Sequence, residues 1–259
     1  MTHRRAVALM VLATFCWSLA GVVTRHLDSA RSFEVTFWRS LFNALALAVM
    51  LTAMRGPALW RGLLRARWPL WLSGFSWGLM FTSFMVALTM TTVANVLVMS
   101  AFGPLLTAVF ARVFLHHRLP RRTWVAISIG GLGIIWMFGK EAGDGASFVG
   151  TLIATLVPVA ASANWTLLQF IGHRADAPDQ APPDMLPAAM IGGLLSAAVT
   201  LPLAWPFHAS AHDLGLLTFL GVVQLAIPCL LVVRVSRELP AAEIALLALL
   251  EVLFGIFLA

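Results

Sequence analysis

The longest uncharged segment of this sequence runs from Trp68 to Ala111, 44 residues without Asp, Glu, Lys, Arg or His. An α-helix needs about 20 consecutive apolar residues to cross the hydrocarbon core of a bilayer. The segment is about twice that length, and the polar stretch Thr89-Met90-Thr91-Thr92 divides it near its middle. The sequence therefore predicts two consecutive transmembrane helices here.

The composition extends this conclusion to the whole chain. Of 259 residues, 60% are hydrophobic and 11% are charged, whereas soluble domains usually carry about 25% charged residues. Only helices and closed barrels satisfy backbone polar groups in hydrocarbon. The apolar runs are continuous rather than alternating, which favours helices over a β-barrel. The predicted fold is an all-α, polytopic transmembrane helix bundle in a lipid bilayer.

Apolar runs of suitable length predict nine membrane spans. They cover about 6–24, 35–54, the two halves of 68–111, 123–139, 147–172, 185–207, 214–233, and a ninth helix that begins near Pro240.

The positive charges predict how these spans are oriented. With the N-terminus in the cytoplasm, 13 arginines fall in segments on the cytoplasmic side, while Arg25, Arg31 and Lys140 fall outside. Short cytoplasmic loops of membrane proteins hold the excess of Lys and Arg. We therefore expect a multi-pass protein of the cell's inner membrane with a cytoplasmic N-terminus.

Several other functions find little support in the sequence. The net charge of +6 is not arranged as a basic stripe interleaved with aromatics, so no nucleic-acid partner is predicted. Cys16 and Cys229 lie inside apolar runs without CxxC or Cys/His spacing, so neither a zinc site nor a disulfide is predicted. The Walker, HExxH and GxSxG motifs are absent, and no cofactor is expected. A membrane-embedded enzyme that recruits His116, His117 and the buried carboxylates, or a membrane scaffold, stays open as an alternative function.

An internal repeat appears when the sequence is shifted by 148 residues. The shift places Trp17 on Trp165 and Asn95 on Glu243, among other matches. It predicts two five-helix units, residues 1–140 and 147–259, the second without its fifth helix in this sequence. Because five is odd, the second unit is inverted relative to the first, as in many secondary transporters that work by alternating access.

Short motifs in four predicted helices carry a family resemblance. They are Ala13-Thr14-Phe15-Cys16-Trp17-Ser18, Phe37-Trp38-Arg39-Ser40, Pro104-Leu105-Leu106-Thr107, and Leu239-Pro240-Ala241-Ala242-Glu243 with Leu249-Leu250-Glu251. Together they resemble the EamA family of the drug/metabolite transporter superfamily across essentially the whole chain. The resemblance implies a transporter of amino acids or related amphipathic metabolites, with export more typical than uptake. Proton coupling, exchange and facilitated diffusion stay open, as does the oligomeric state.

The sequence also departs from the family pattern. Where the family commonly ends helix four with Gly-Glu before a basic loop, this chain has His116-His117-Arg118, and Val252 replaces the usual proline after Glu251. Family members usually have ten helices, so the nine predicted here are expected to represent either a shortened chain or a nine-helix variant.

Three charged residues inside predicted spans are candidate site residues, because charge within the membrane is costly. Arg39 is a candidate for binding a substrate carboxylate, or it snorkels to the membrane surface or caps a neighbouring helix. Glu251 is a candidate for proton coupling or for attracting an amine, or it forms a structural hydrogen bond. Glu243 lies in the first turn after Pro240, where a carboxylate is favoured by the helix dipole. Its repeat mate Asn95 lies near the opposite membrane face, so the pair is also a candidate for two gates of one pathway.

Aromatic and amide side chains complete the predicted substrate site. Trp17 and Trp165 lie in mid-helix rather than at the membrane interface, which favours either a flat wall for a substrate or core packing. Trp77 and Gln169 are polar-tipped candidates for a central cavity, as are Asn164 and Gln224, although interhelical hydrogen bonds are their usual role.

Overall fold

The fold is taken from a computed structural model of the chain, which describes residues 1–30, 32–116, 145–174 and 184–258, with scattered positions between 121 and 136. These residues form helices joined by short connections, with no strand among them. The helices are α1 (His3–Thr24), α2 (Ser32–Arg55), α3 (Ala58–Leu64), α4 (Trp68–Met90), α5 (Val93–Ser100), α6 (Gly103–Phe114), α7 (Gly145–Arg174), α8 (Pro187–Ala204), α9 (Ala211–Phe219), a π-helical segment (Leu220–Ala226), α10 (Ile227–Val235), α11 (Ala241–Ala248) and α12 (Leu250–Leu258).

Seven helical stretches in the described part of the chain are long and apolar enough to cross a membrane. They are α1, α2, α4, α5 with α6, α7, α8, and α9 through α10. The prediction of an all-α polytopic membrane bundle is therefore confirmed. The predicted ninth span corresponds to α11 followed by α12, and the predicted fifth span, about 123–139, falls largely outside the described residues.

The predicted break within 68–111 is present and has a clear cause. Helix α4 ends at Met90, and α5 starts at Val93 after the N-cap residue Thr92. The Thr92 hydroxyl accepts a hydrogen bond from the backbone N–H of Asn95 at 3.2 Å. Such a cap satisfies one of the free N–H groups at a helix start and favours a new helix at this point.

Glycines allow α4 and α8 to approach closely. A Cβ atom built on Gly74 would lie 2.6 Å from Cγ2 of Ile191, and one on Gly78 would lie 3.1 Å from the carbonyl oxygen of Gly192. Without hydrophobic drive between helices in lipid, small residues at the interface stabilise packing by permitting close backbone contact. The Gly74 and Gly78 face therefore holds the centre of the bundle together.

One end of the bundle is closed by two buried carboxylates. Glu34 at the start of α2 accepts hydrogen bonds from the backbone N–H groups of His208 and Ala209, at 2.8 to 3.0 Å. Asp213 in the first turn of α9 accepts from the backbone N–H groups of Asp28, Ser29, Ala30 and Ser210, and from the Ser29 hydroxyl. Both are fully enclosed, so they fix the chain segments between α1 and α2 and before α9.

The opposite end carries exposed ion pairs near the N-terminus. The terminal amino group lies 2.8 Å from Glu238, and Nε2 of His3 lies 3.0 Å from a carboxylate oxygen of Glu243. These contacts bring the start of α1 against the start of α11.

The π-helical segment arises where the regular hydrogen-bond pattern cannot continue. Pro228 has no N–H, so it cannot supply the α-helical hydrogen bond to the carbonyl of Gln224. The wider π turn accommodates this loss, and π turns often occur at functional sites. The segment packs closely on α2, because a Cβ on Gly221 would lie 2.9 Å from the carbonyl oxygen of Arg39.

Candidate functional site

A cavity of about 130 Å³ lies among the helices of both predicted units. It is lined by residues of α1, α2, α4 to α7, the π-helical segment, α11 and α12. The lining includes the aromatic residues Trp17, Trp77 and Trp165 and the polar residues Arg39, Gln224 and Glu251.

Three tryptophans contribute to the cavity wall. The rings of Trp77 and Trp165 meet edge to face with centroids 5.4 Å apart, and Trp77 also contacts Phe81 at 5.4 Å. Trp17 lines the cavity from α1. Edge-to-face contacts hold aromatic rings in fixed orientations. The wall is therefore apolar and rigid, and it suits the apolar part of a ligand.

Two opposite charges face this cavity. Arg39 is only 5% exposed, and its Nε and Nη1 atoms are buried without a hydrogen-bond partner among the described residues. Glu251 lines the same cavity, yet the two residues do not approach within the 4.0 Å of an ion pair. A buried guanidinium without partners is costly, so this arrangement is suited to a ligand that carries an anionic group.

Two neutral polar groups also lack partners at the cavity. The Trp77 indole Nε1, a donor, and the Gln224 side-chain oxygen, an acceptor, are buried without hydrogen bonds in the described structure. Both residues line the cavity. Buried polar groups are nearly always hydrogen-bonded in folded proteins, so these two atoms are candidate hydrogen-bonding positions at the cavity.

Five of the eight predicted site residues are brought together here, namely Trp17, Arg39, Trp77, Trp165 and Glu251. The other three lie outside the cavity lining. Asn95 donates a hydrogen bond to the Thr91 hydroxyl at 2.8 Å, and Gln169 accepts one from the backbone N–H of Ala241 at 3.1 Å. Glu243 faces His3 at the end of the bundle that holds the N-terminus.

Several wall residues that follow a helical period were not among the predicted site residues. Met80, Phe81 and Phe84 follow Trp77 at the spacing that places residues on one helix face. The same spacing relates Ala245, Ala248, Leu249 and Val252 along α11 and α12. Extending the face of Trp77 along its helix would have identified the first group.

A cluster of Asp28, His212 and Asp213 resembles a set of metal ligands, with candidate ligand atoms within 4.8 Å of one another. However, the Asp213 carboxylate already accepts hydrogen bonds from four backbone N–H groups and one hydroxyl. Its geometry is explained by chain capping.

A bundle of membrane-spanning helices around a cavity with aromatic walls and opposed charges defines the class of multi-pass membrane transporters for small molecules. A sequence model described as the EamA-like transporter family matches residues 4–139, more than half of the chain. The chain therefore belongs to the EamA-like transporter family, and the resemblance stated from its motifs is confirmed.

A solved structure shares the fold of this chain. A solved crystal structure superposes with a TM-score of 0.69 at 17% sequence identity, covering 99% of this chain and 88% of the other. Among curated protein sequences, none matches significantly.

Proposed function

We propose that this protein is a secondary transporter that moves a small amphipathic metabolite with both an anionic and a cationic group, such as an amino acid, through the central cavity by alternating access. The observation that carries the proposal is the pair of opposed charges, Arg39 and Glu251, on one cavity with aromatic walls. Chemistry of this kind recognises a zwitterion with an apolar body.

The polar groups are complementary to such a molecule. Arg39 offers two unpartnered N–H donors for a carboxylate, and charge-assisted hydrogen bonds of this kind are among the strongest in proteins. Glu251 offers a carboxylate for an ammonium group. Because the charges are not paired with each other within 4.0 Å, each is available to a ligand.

The cavity size limits the substrate. Its volume is about 130 Å³, and an engineered apolar cavity of about 150 Å³ holds benzene. The site in this conformation therefore suits a metabolite whose apolar part is a branched aliphatic group or a single ring.

Alternating access is supported by the repeat relation of the cavity walls. Adding 148 to the bounds of α5 gives 241–248, the bounds of α11. Five pairs of cavity residues are related by the same shift: Trp17 and Trp165, Trp77 and Leu225, Leu97 and Ala245, Ser100 and Ala248, Gly103 and Glu251. A site built from both units at their interface is the arrangement found in transporters with inverted repeats.

The two predicted gate residues support the same reading. The Asn95 amide donates a hydrogen bond to the Thr151 hydroxyl at 3.4 Å, near the N-terminal ends of α5 and α7. Glu243 lies 3.0 Å from His3, near the N-terminal ends of α11 and α1 and at the other end of the bundle. The 148-residue shift converts one pair of positions into the other. We therefore assign the two contacts as equivalent gates at opposite membrane faces.

We further propose placement in the inner membrane with a cytoplasmic N-terminus, and transport directed outward. The distribution of arginines supports the orientation, and the family supports export. Under this orientation, the His3–Glu243 contact is the cytoplasmic gate and the Asn95–Thr151 contact is the outer gate.

The decisive test is transport of a labelled amino-acid panel in proteoliposomes, with and without an imposed pH gradient. We expect at least one zwitterionic substrate to accumulate above protein-free vesicles, and an Arg39→Gln variant to abolish the signal at unchanged membrane abundance. A pH dependence that disappears in Glu251→Gln would identify the proton as coupling ion. No transport of any amino acid by correctly folded protein would overturn the proposal.

A further inference from the structure

We infer that Gln224 is a specificity-determining residue of the cavity, whose side-chain oxygen accepts a hydrogen bond from an N–H group of the transported molecule. This inference rests on the proposed function and makes it more specific. It requires the substrate's cationic group to carry N–H donors, beyond carrying positive charge.

The orientation of the Gln224 amide follows from its contact with α1. Its nitrogen Nε2 donates a hydrogen bond to the backbone carbonyl oxygen of Trp17 at 3.1 Å. A carbonyl oxygen only accepts hydrogen bonds, so the amide group must turn its NH2 toward Trp17. The oxygen Oε1 is thereby fixed on the other side of the group.

This oxygen has no protein partner. Gln224 is 3% exposed, and Oε1 is buried without a hydrogen bond in the described structure. The donors of Arg39 and Trp77 line the same cavity but do not reach it, since their own buried nitrogens are also unpartnered. An acceptor left unpaired in a low-dielectric site is costly, so a ligand that donates to it gains affinity.

The backbone around Gln224 is held firmly in place. The residue lies in the π-helical segment, and the loss of a donor at Pro228 accounts for the wide turn. Gly221 packs this segment against α2 at the carbonyl of Arg39. The Gln224 oxygen is therefore anchored by contacts with α1 and α2 before any substrate arrives, which is the condition for selectivity by a hydrogen bond.

Gln224 and Glu251 interact with different properties of a cationic group, its N–H donors and its charge. Any cation satisfies the charge of Glu251, whereas only a group with N–H satisfies the acceptor of Gln224. A trimethylammonium group has the first property and lacks the second. Discrimination between a primary amine and its trimethylated form therefore separates the contributions of the two residues.

The experiment measures inhibition of labelled leucine transport by unlabelled leucine, N-methylleucine and N,N,N-trimethylleucine, repeated with the phenylalanine series. We expect the wild-type protein to bind the trimethylated compound at least about tenfold more weakly than the monomethylated one, which still carries N–H. In Gln224→Met, which keeps the side-chain length, we expect this ratio to fall to about twofold, with the trimethylated compound little affected.

A second variant tests whether the acceptor, rather than packing, is responsible. Gln224→Leu, which has a different shape but also lacks the acceptor, is expected to lose the discrimination as Gln224→Met does, while Glu251→Gln should weaken all three compounds alike. Equal weakening of all compounds in Gln224→Met, or an unchanged ratio, would overturn the inference and leave the transporter proposal standing. Folded wild-type protein that transports neither labelled leucine nor labelled phenylalanine would overturn the inference, while transport of another amino acid of the panel would leave the proposed function standing.

Discussion

The close contact of α4 and α8 leads to a prediction in which a single methyl group disturbs both stability and the site. In Gly192→Ala, the new Cβ would lie 2.8 Å from the backbone nitrogen of Gly78 and 3.0 Å from the carbonyl oxygen of Gly74, and it would also press on the Cβ of Trp77. Two of these neighbours are backbone atoms, so a side-chain rotation cannot relieve the clash. The two helices must move apart.

The expected magnitude follows from studies of overpacked cores. Inserting a methyl group into a well-packed interior destabilises a protein by about 1–3 kcal/mol. For a chain of this size, each kcal/mol lowers the melting temperature by about 2–4 °C, so we expect a decrease of about 2–12 °C. Trp77 forms part of the cavity wall, so stabilisation by a transported amino acid should also decrease.

The assay is thermal unfolding of detergent-purified protein, followed by the fluorescence of its tryptophans, with and without substrate. Gly21→Ala and Gly215→Ala are matched controls, because a Cβ at either position meets no atom within 4 Å. Both lie within helices, so we expect these controls to be neutral or stabilising by up to about 1 kcal/mol. A Gly192→Ala protein as stable as the controls would refute the packing argument.

Three further predictions concern charge and gating. Arg39→Gln and Glu251→Gln should each lower transport efficiency at least about tenfold, through loss of charge-assisted hydrogen bonds to substrate, with unchanged membrane abundance on immunoblots; normal transport would remove that residue from the site. Asp213→Asn should lower the melting temperature more than Gly192→Ala does, because an amide cannot accept from all five donors that surround the carboxylate; an unchanged value would contradict its capping role. In a Ser100→Cys protein whose Cys16 and Cys229 are replaced by Ser, Glu243→Gln should increase alkylation of the cavity cysteine from the cytoplasmic side by up to about fivefold, the range for an exposed ion pair, and Thr151→Val should do so from the outer side; identical changes would contradict separate gates.

The membrane spans could be predicted from sequence because each depends on a local property. A run of about 20 apolar residues specifies a span whatever the rest of the chain does, and the helix break near Thr91 is encoded by a threonine cap. Trp17 and Trp165 were recognisable as wall residues because a mid-helix tryptophan is unusual away from the interface.

Other features depended on tertiary contacts that sequence patterns do not encode. Glu34 and Asp213 lie near helix starts, where a carboxylate is ordinarily exposed, yet both are enclosed by backbone N–H groups from distant segments. The roles of Gln169 and Glu243 also depend on partners far away in sequence, Ala241 and His3. Polar residue type alone could not separate these contacts from cavity-facing groups such as Gln224.

The proposed repeat divides the cavity residues into those that recur in both units and those that occur once. Aromatic and small wall residues recur in both units, as Trp17 with Trp165 and Ser100 with Ala248 do. The charged groups do not recur, since the 148-residue shift places Glu251 on Gly103 and Arg39 on Pro187. Walls that are equivalent in the two units allow the site to open to either face with similar contacts. Recognition of the proposed substrate requires groups that differ between the two units, because a molecule with one carboxylate and one amine has no two-fold symmetry. Under the proposed function, we therefore expect substitutions of the single-copy groups to change which molecule is bound, and substitutions of the repeated groups to change the rate of transport.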